Sequence, residues 1–275
     1  MASMRQPATN GVEPTTRHVR LGDRWIDYHL RRSARSRGLR LTIDPRLGLV
    51  VSVPPVTRRG WARPEDHVDG FLRERRTWVV RHLDRLARER AAVLARGGAR
   101  DGGLVPYRGV LHRIRVRPGA IAGRGSIVER TGGADDELVI SLGTGERRSI
   151  EHILDRWFRD RATEAVIAAI ATHAGPLGVR PGKVDIRDPR SRWGSASRSG
   201  RLMFSWRLVL APPGSLETVV VHELAHLRVF GHGPGFWAFV ATRRPSHLAD
   251  RAWLRRNSHA LHAALEPAPA EPAPE

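Results

Sequence analysis

Cysteine is absent from this chain of 275 residues, which excludes a disulfide framework, a thiolate metal site and a cysteine nucleophile. Lysine is nearly absent too: of 47 basic residues only Lys183 is lysine, and the rest are arginines. Methionine occurs only at Met1, Met4 and Met203, and tyrosine only at Tyr28 and Tyr107. No apolar run reaches the roughly 20 residues of a membrane-spanning helix, and Met1 to Asn10 lacks the apolar centre of a signal peptide. The expected location is therefore cytoplasmic, with no membrane partner.

Acidic residues are also in deficit, 28 against 47 basic, leaving a net charge of +19. That charge attracts polyanions. Arginines cluster at Arg31, Arg32, Arg35, Arg37 and Arg40, and again at Arg73, Arg75, Arg76, Arg81, Arg85, Arg88 and Arg90. The dominance of arginine over lysine in a chain rich in alanine, glycine and proline also fits a coding bias. The expectation is nonspecific nucleic-acid binding through an arginine-rich surface.

What the sequence does contain centres on His222-Glu223-Leu224-Ala225-His226, with Gly231-His232 shortly after. Residues four apart on a helix lie one turn above each other, so the imidazoles of His222 and His226 can converge on one metal ion. Glu223, turned aside, stands where a general base takes a proton from a metal-activated water. Gly231 lets the chain fold back so that His232 supplies a third nitrogen. Three protein ligands leave one tetrahedral position open, as catalytic sites do, whereas structural sites are closed by four. The preceding Leu216 and Val219-Val220-Val221 are apolar, and three valines in a row suit a helix held by burial rather than by propensity. Pro212 to Ser215 forms the expected turn and N-cap, with Glu217 in the first turn.

Along the chain, residues 1 to about 16 are expected to be disordered. Ile26, Tyr28 and Leu30, then Leu39, Leu41 and Ile43, then Leu49 to Val53 after a Pro45–Gly48 turn, predict a small antiparallel sheet of hairpins. From Pro64, the apolar positions Val68, Phe71, Leu72, Val79, Leu83 and Leu86 predict one long amphipathic helix ending at Gly97-Gly98. Strands are expected at Val105–Tyr107, Val110–Val116 and Leu138–Leu142, with a flexible glycine-rich loop from Pro118 to Asp136. A helix from about Arg147 to His173 is expected to pack on the metal-binding helix. Between Val184 and Val209 the pattern reads as short strands, the last alternating Phe204, Trp206 and Leu208 with Met203, Ser205 and Arg207. Such a strand beside the active-site helix could pair with an extended peptide. Arg192 or Arg207 could stabilise an oxyanion, or equally hold a carbonyl or an acidic side chain. Phe236 and Trp237 are expected to buttress the ligand loop. A last helix runs from about Pro245 to Leu265, and the proline-alanine tail 266–275 should be extended.

Ser191-Arg192-Trp193-Gly194-Ser195, Phe204-Ser205-Trp206-Arg207-Leu208, Ala211-Pro212-Pro213, and the His-Glu motif with His232 and Phe236-Trp237 together resemble the YgjP-like metallopeptidase family, relatives of the SprT-like zinc proteases. The resemblance covers most of the chain. It implies one zinc ion held by His222, His226 and His232, with Glu223 as the catalytic acid and base. Ala196 departs from the cysteine usual in that family and bears mainly on local packing. The ten-residue offset from His222 to His232 also equals the metzincin spacing, but that pattern needs glycine at the position of Val229 and a downstream methionine turn, and all three methionines lie upstream.

The expected architecture is α+β: a zincin-like catalytic core carrying the HExxH helix, preceded by a small antiparallel sheet and a long amphipathic helix. Its divisions are a disordered 1–16, an N-terminal strand and helix region 17–145, a metallopeptidase core 146–265 and the tail. The expected activity is hydrolysis of a protein or peptide substrate. The alternative is a basic nucleic-acid-associated module with a structural or vestigial metal site.

Overall fold

The apolar alternation from Val19 onward does form strands, but their pairing differs from a chain of hairpins. In the computed structural model the described residues are 15–34, 36–44, 47–133 and 136–266. The chain divides into two compact units, Met1–Arg90 and Ala91–Glu275, and the fold is α+β. The disordered segments expected at 1–16 and 266–275 lie outside the described residues except for Thr15, Thr16 and Glu266. Thr15 and Thr16 already belong to a strand.

In the first unit, β1 (Thr15–Leu21) and β2 (Arg24–Arg32) form an antiparallel hairpin that turns at Gly22, whose φ is +73°. β3 (Arg40–Asp44) runs antiparallel to β4 (Gly48–Val53), yet β4 pairs parallel to β2, so the order is β1-β2-β4-β3 and the sheet is mixed. Of the expected turn at 45–48, Pro45 and Arg46 lie outside the described residues. Val19, Leu21, Ile26, Tyr28, Leu49, Val51 and Val53 pack with Val68, Leu72 and Val79 into one buried cluster. The single long helix is in fact two, α1 (Glu65–Glu74) and α2 (Arg76–Leu94), broken at Arg75, where φ is −95° and ψ 13°. The apolar stripe keeps its phase across the break because Val68, Leu72 and Val79 all reach the same core.

The second unit holds two small sheets. β5 (Leu104–Tyr107), β6 (Val110–Ile121), β7 (Ser126–Arg130) and β8 (Glu137–Gly143) lie in the order β5-β6-β8-β7, with β6 and β8 parallel. The expected loop from 118 to 136 thus contains the end of β6 and an extra strand, β7, paired antiparallel to β8. Its Ala134 and Asp135 lie outside the described residues. α3 (Ile150–His173) is capped by Ser149, whose side chain accepts from the His152 N–H, and buries Leu154, Phe158, Ala162 and Val166.

In the other sheet, β9 (Val184–Arg187) lies parallel to β11 (Leu202–Ser205), and β10 (Gly194–Ala196) is an antiparallel edge strand. The alternation expected through Leu208 stops at Ser205: Trp206–Leu210 is a 3-10 turn, started by the Ser205 hydroxyl accepting from the Arg207 N–H. α4 (Pro213–Ala225) starts with proline at the first helical position, so Ser215 lies inside the helix and is not its cap. It packs against α3 and buries Leu216, Val219, Val220, Val221, Leu224 and Ala225. Burial on several sides offsets the poor helix propensity of its valines. α5 (Pro234–Arg243) was expected only as an aromatic buttress, and α6 (His247–His262) is the last helix. Among the described residues no helix is long and apolar enough to cross a membrane.

Candidate metal centre

α4 presents His222 on its last full turn and ends at His226, which occupies the C-cap position with φ −65° and ψ −16°. Beyond it the Val229 N–H donates back to the Ala225 carbonyl, and Gly231, at φ +83°, reverses the chain. His232 is thereby returned to the helix end. The three Nε2 atoms form a nearly equilateral triangle: His222 to His226 3.2 Å, His226 to His232 3.2 Å, and His232 to His222 3.1 Å.

Three imidazole nitrogens sharing a tetrahedral ion at 2.0–2.1 Å stand about 3.3 Å apart, so this donor set fits one ion of that size. His226 fixes its own tautomer. Its Nδ1–H donates to the Val229 carbonyl at 3.3 Å, leaving Nε2 with the lone pair that faces the other two rings. Burial, reinforced by the neighbouring His226 and His232, lowers the His222 pKa to about 3. Burial also lowers that of His226, against the opposing bond to Val229. Both are therefore neutral near pH 7, as metal ligation requires. Among the described residues, this triad could hold a metal ion.

Phe236, fully buried on α5, braces all three rings. It stacks on His226 with centroids 4.4 Å apart, and meets His222 and His232 edge-on at 4.9 and 5.0 Å. Trp237 adds contacts of 5.4 Å to His222 and 5.7 Å to His232. The buttress expected from the sequence is in place, built on a helix rather than on a loop.

Glu223 is buried beside the triad. Burial raises its pKa to about 7, and the charge of Arg192 opposes that rise. Its side chain lies against the edge strand β10, so close to Gly194 that a Cβ there would stand 2.7 Å from Glu223 Cγ. Nothing in the sequence reading singled out Gly194 except its place in the Trp-Gly-Ser motif, although a glycine within a strand is itself a sign of close approach.

The two arginines considered for oxyanion contact part company. Arg192 is exposed, with its charge in reach of Glu223. Arg207 is fully engaged elsewhere. Its Nε and Nη2 donate to the two oxygens of Asp188 at 2.8 and 3.0 Å, and its Nη1 donates to the carbonyls of Leu261 and His262 at 3.1 and 2.7 Å. It also covers the Trp206 ring at 4.5 Å, which makes it a tie between the 3-10 turn and the end of α6. Sequence reasoning passed over Arg251, whose guanidinium lies 3.9 Å from the centre of the Trp237 ring; among so many arginines nothing marked it out.

A family profile described as YgjP-like, metallopeptidase domain, matches residues 37–257, a span that includes all three histidines, Glu223 and Gly194. No curated protein and no solved structure matches the chain.

Proposed function

Because the chain belongs to the YgjP-like metallopeptidase family, we propose that it is a zinc-dependent peptidase with a zincin-like core, in which Glu223 moves the protons of peptide-bond hydrolysis. The observation that carries this reading is the convergence of three Nε2 atoms to within 3.2 Å beside a buried carboxylate. His222, His226 and His232 would hold the ion. A bound Zn2+ supplies Lewis acidity, lowering the pKa of water and polarising a carbonyl.

Glu223 takes the proton of the attacking water and delivers it to the departing amine. A carboxyl pushed toward neutrality by burial is suited to both halves of that transfer, since general acid–base groups work best near the ambient pH. Arg192 biases Glu223 toward its ionised, proton-accepting form. The hydrophobic packing of α4 and the aromatic brace of Phe236 hold the histidines in place before any ligand arrives, so little reorganisation is needed. Nonspecific attraction of nucleic acid is a separate proposal that rests on the net charge of +19, and salt titration of binding to an oligonucleotide tests it.

The decisive experiment compares wild type with Glu223→Gln, both zinc-loaded, on an unfolded protein substrate. Cleavage by wild type, with loss of about 100-fold or more in the variant at equal zinc content, is the expected outcome. A Glu223→Gln protein that cleaves at the wild-type rate would falsify the assignment of the base.

A further inference from the structure

The rim of the metal centre carries cations without carboxylate partners. The guanidinium carbon of Arg251 on α6 lies over the Trp237 ring, 3.9 Å from its centre, and the Trp237 ring in turn stands 5.4 Å from that of His222. Arg192 lies two residues before Gly194, the residue in contact with the Glu223 side chain. Arg198 approaches the ring of Phe230 at 6.0 Å, and Phe230, 67% exposed, belongs to the loop between the ligands His226 and His232.

An excess of positive charge alone leaves unpaired arginines anywhere on a surface, so position is what distinguishes these three. Some arginines of the same unit are taken up by acids, Arg207 by Asp188, Arg244 by Glu217 and Asp250, Arg201 by Asp185, and Arg159 by Asp155, while others such as Arg180, Arg187 and Arg255 form no ion pair among the described residues. What sets these three apart is their approach to the aromatic brace, the ligand loop and Glu223. Among the described residues Arg192, Arg198 and Arg251 form no ion pair; Asp250, beside Arg251 in the chain, is taken up by Arg244, and the charge of Arg192 reaches Glu223. A guanidinium over an indole gains cation–π attraction, and the Arg251 side chain makes no hydrogen bond to another described residue, so its N–H donors remain available to a ligand. Such a fork is matched by a carboxylate, which it can bind bidentately.

We propose, resting on the peptidase reading above, that this rim selects peptide segments carrying aspartate or glutamate close to the bond to be cut, with Arg251 as the principal carboxylate-binding residue and Arg192 and Arg198 completing the field. Phe230 offers an apolar surface beside them, so the preferred segment combines acidic and apolar side chains. A basic segment is rejected by like-charge repulsion, which gives selectivity through what is excluded as well as through what is bound.

The test has a binding arm and a cleavage arm, both on the full-length zinc-loaded protein. For binding, a fluorescein-labelled decapeptide rich in glutamate and leucine is titrated into the Glu223→Gln protein, beside peptides in which glutamine or arginine replaces glutamate. The acidic peptide should bind about tenfold or more tightly than the glutamine peptide, and the arginine peptide least of all. Adding Arg251→Gln or Arg192→Gln should reduce that ratio, and Arg251→Lys should restore part of it. Equal binding of the three peptides, or a ratio unchanged in both arginine variants, would overturn the proposal. So would an oligonucleotide that binds as tightly as the acidic peptide and is weakened equally by both substitutions, which would assign the rim to nucleic acid.

For cleavage, sites cut by wild type in a mixed peptide library are mapped by mass spectrometry. Enrichment of acidic residues beside the cut bonds supports the proposal, and cutting without such enrichment defeats it while leaving the peptidase reading intact. Absence of any cutting defeats the peptidase reading, whereas the binding arm still decides the charge preference.

Discussion

Gly194 and Glu223 are in such close contact that a methyl group on the strand residue would lie 2.7 Å from Cγ and 2.8 Å from Oε1 of the glutamate. The edge strand β10 therefore sets the position of the carboxylate from the side, and only glycine leaves room for it. Gly194→Ala should displace the carboxylate rather than unfold the protein, because the atoms in the way belong to a side chain. On the proposed mechanism, kcat falls by about 10- to 100-fold while zinc content and melting temperature stay near wild type. Unchanged kcat in the alanine variant would show that the contact has no bearing on catalysis.

Phe236 carries the other support. Replacing it with alanine removes a buried ring that touches all three histidines of the triad, leaving a cavity and freeing the imidazoles to turn. The expected cost is about 3–5 kcal/mol of stability and about a 10- to 100-fold loss of zinc affinity, measured by denaturation and by competition with a chromophoric chelator. Zinc affinity equal to wild type would mean that the helix end alone orients the ligands.

Zinc binding should itself stabilise the fold. At a free concentration 100 times the dissociation constant, binding to the native state alone adds about 2.7 kcal/mol, visible as a rise in Tm that EDTA reverses. His226→Ala should abolish most of that rise, since it removes one vertex of the nitrogen triangle. A full zinc-dependent shift in the variant would place the ion elsewhere.

Arg244 ties α4 to the helices that follow. It donates to Glu217 at 2.8 Å, to Asp250 and the Gly214 carbonyl at 2.9 Å, and to the Thr218 hydroxyl at 3.1 Å. Arg244→Met keeps the aliphatic stem but leaves these acceptors unanswered in a half-buried setting. A loss of about 2–4 kcal/mol in urea denaturation is expected, with the zinc triangle itself untouched. A loss below about 0.5 kcal/mol would show that water replaces the network without cost.

Acidification of the metal-free protein should destabilise it in two stages. Burial lowers the His173 pKa more than nearby Glu217 raises it, and it lowers those of His222 and His226 too. Glu223, raised to about 7, gains stability as the pH falls through that value and opposes them, so the metal-free Glu223→Gln protein is the one to measure. A histidine depressed in the folded state contributes stability that is present above its unfolded value of about 6.5 and is lost as the pH falls below that value. The second stage comes from carboxylates. Burial would raise the pKa of Asp188 and Asp250, but Arg207 at the first, and Thr218, Arg244 and Ser246 at the second, outweigh it and hold both below the ordinary range. Their contribution is present above about pH 4 and disappears on further acidification. Urea midpoints of the metal-free Glu223→Gln protein measured from pH 8 to 3 should decline below about 6.5, as His173, His222 and His226 lose their contribution, and further below about 4. A midpoint that is level down to pH 4 would contradict the first stage.

Features that depend on near neighbours are legible in the amino-acid order alone. The four-residue interval between His222 and His226, the turn permitted by Gly231 and the place of Glu223 between the two histidines are all local, and the helix and the reversal follow from them directly. The stripe from Val68 to Val79 was equally plain, although the break at Arg75 was not, since the phase of the apolar residues runs through it unaltered. Pairing over distance was left to the tertiary structure. The parallel contact of β2 with β4, the strand Ser126–Arg130 between glycine-rich flanks and the 3-10 turn at Trp206–Leu210 each depend on partners far along the chain, which a period of two cannot reveal. The same holds within the site: Arg192 and Arg207 look alike as letters, but Asp188 and the end of α6 occupy one of them, while the other remains in electrostatic reach of Glu223. Periodicity and spacing report which face a residue takes, whereas the neighbour it meets there is set by the packing of the whole unit.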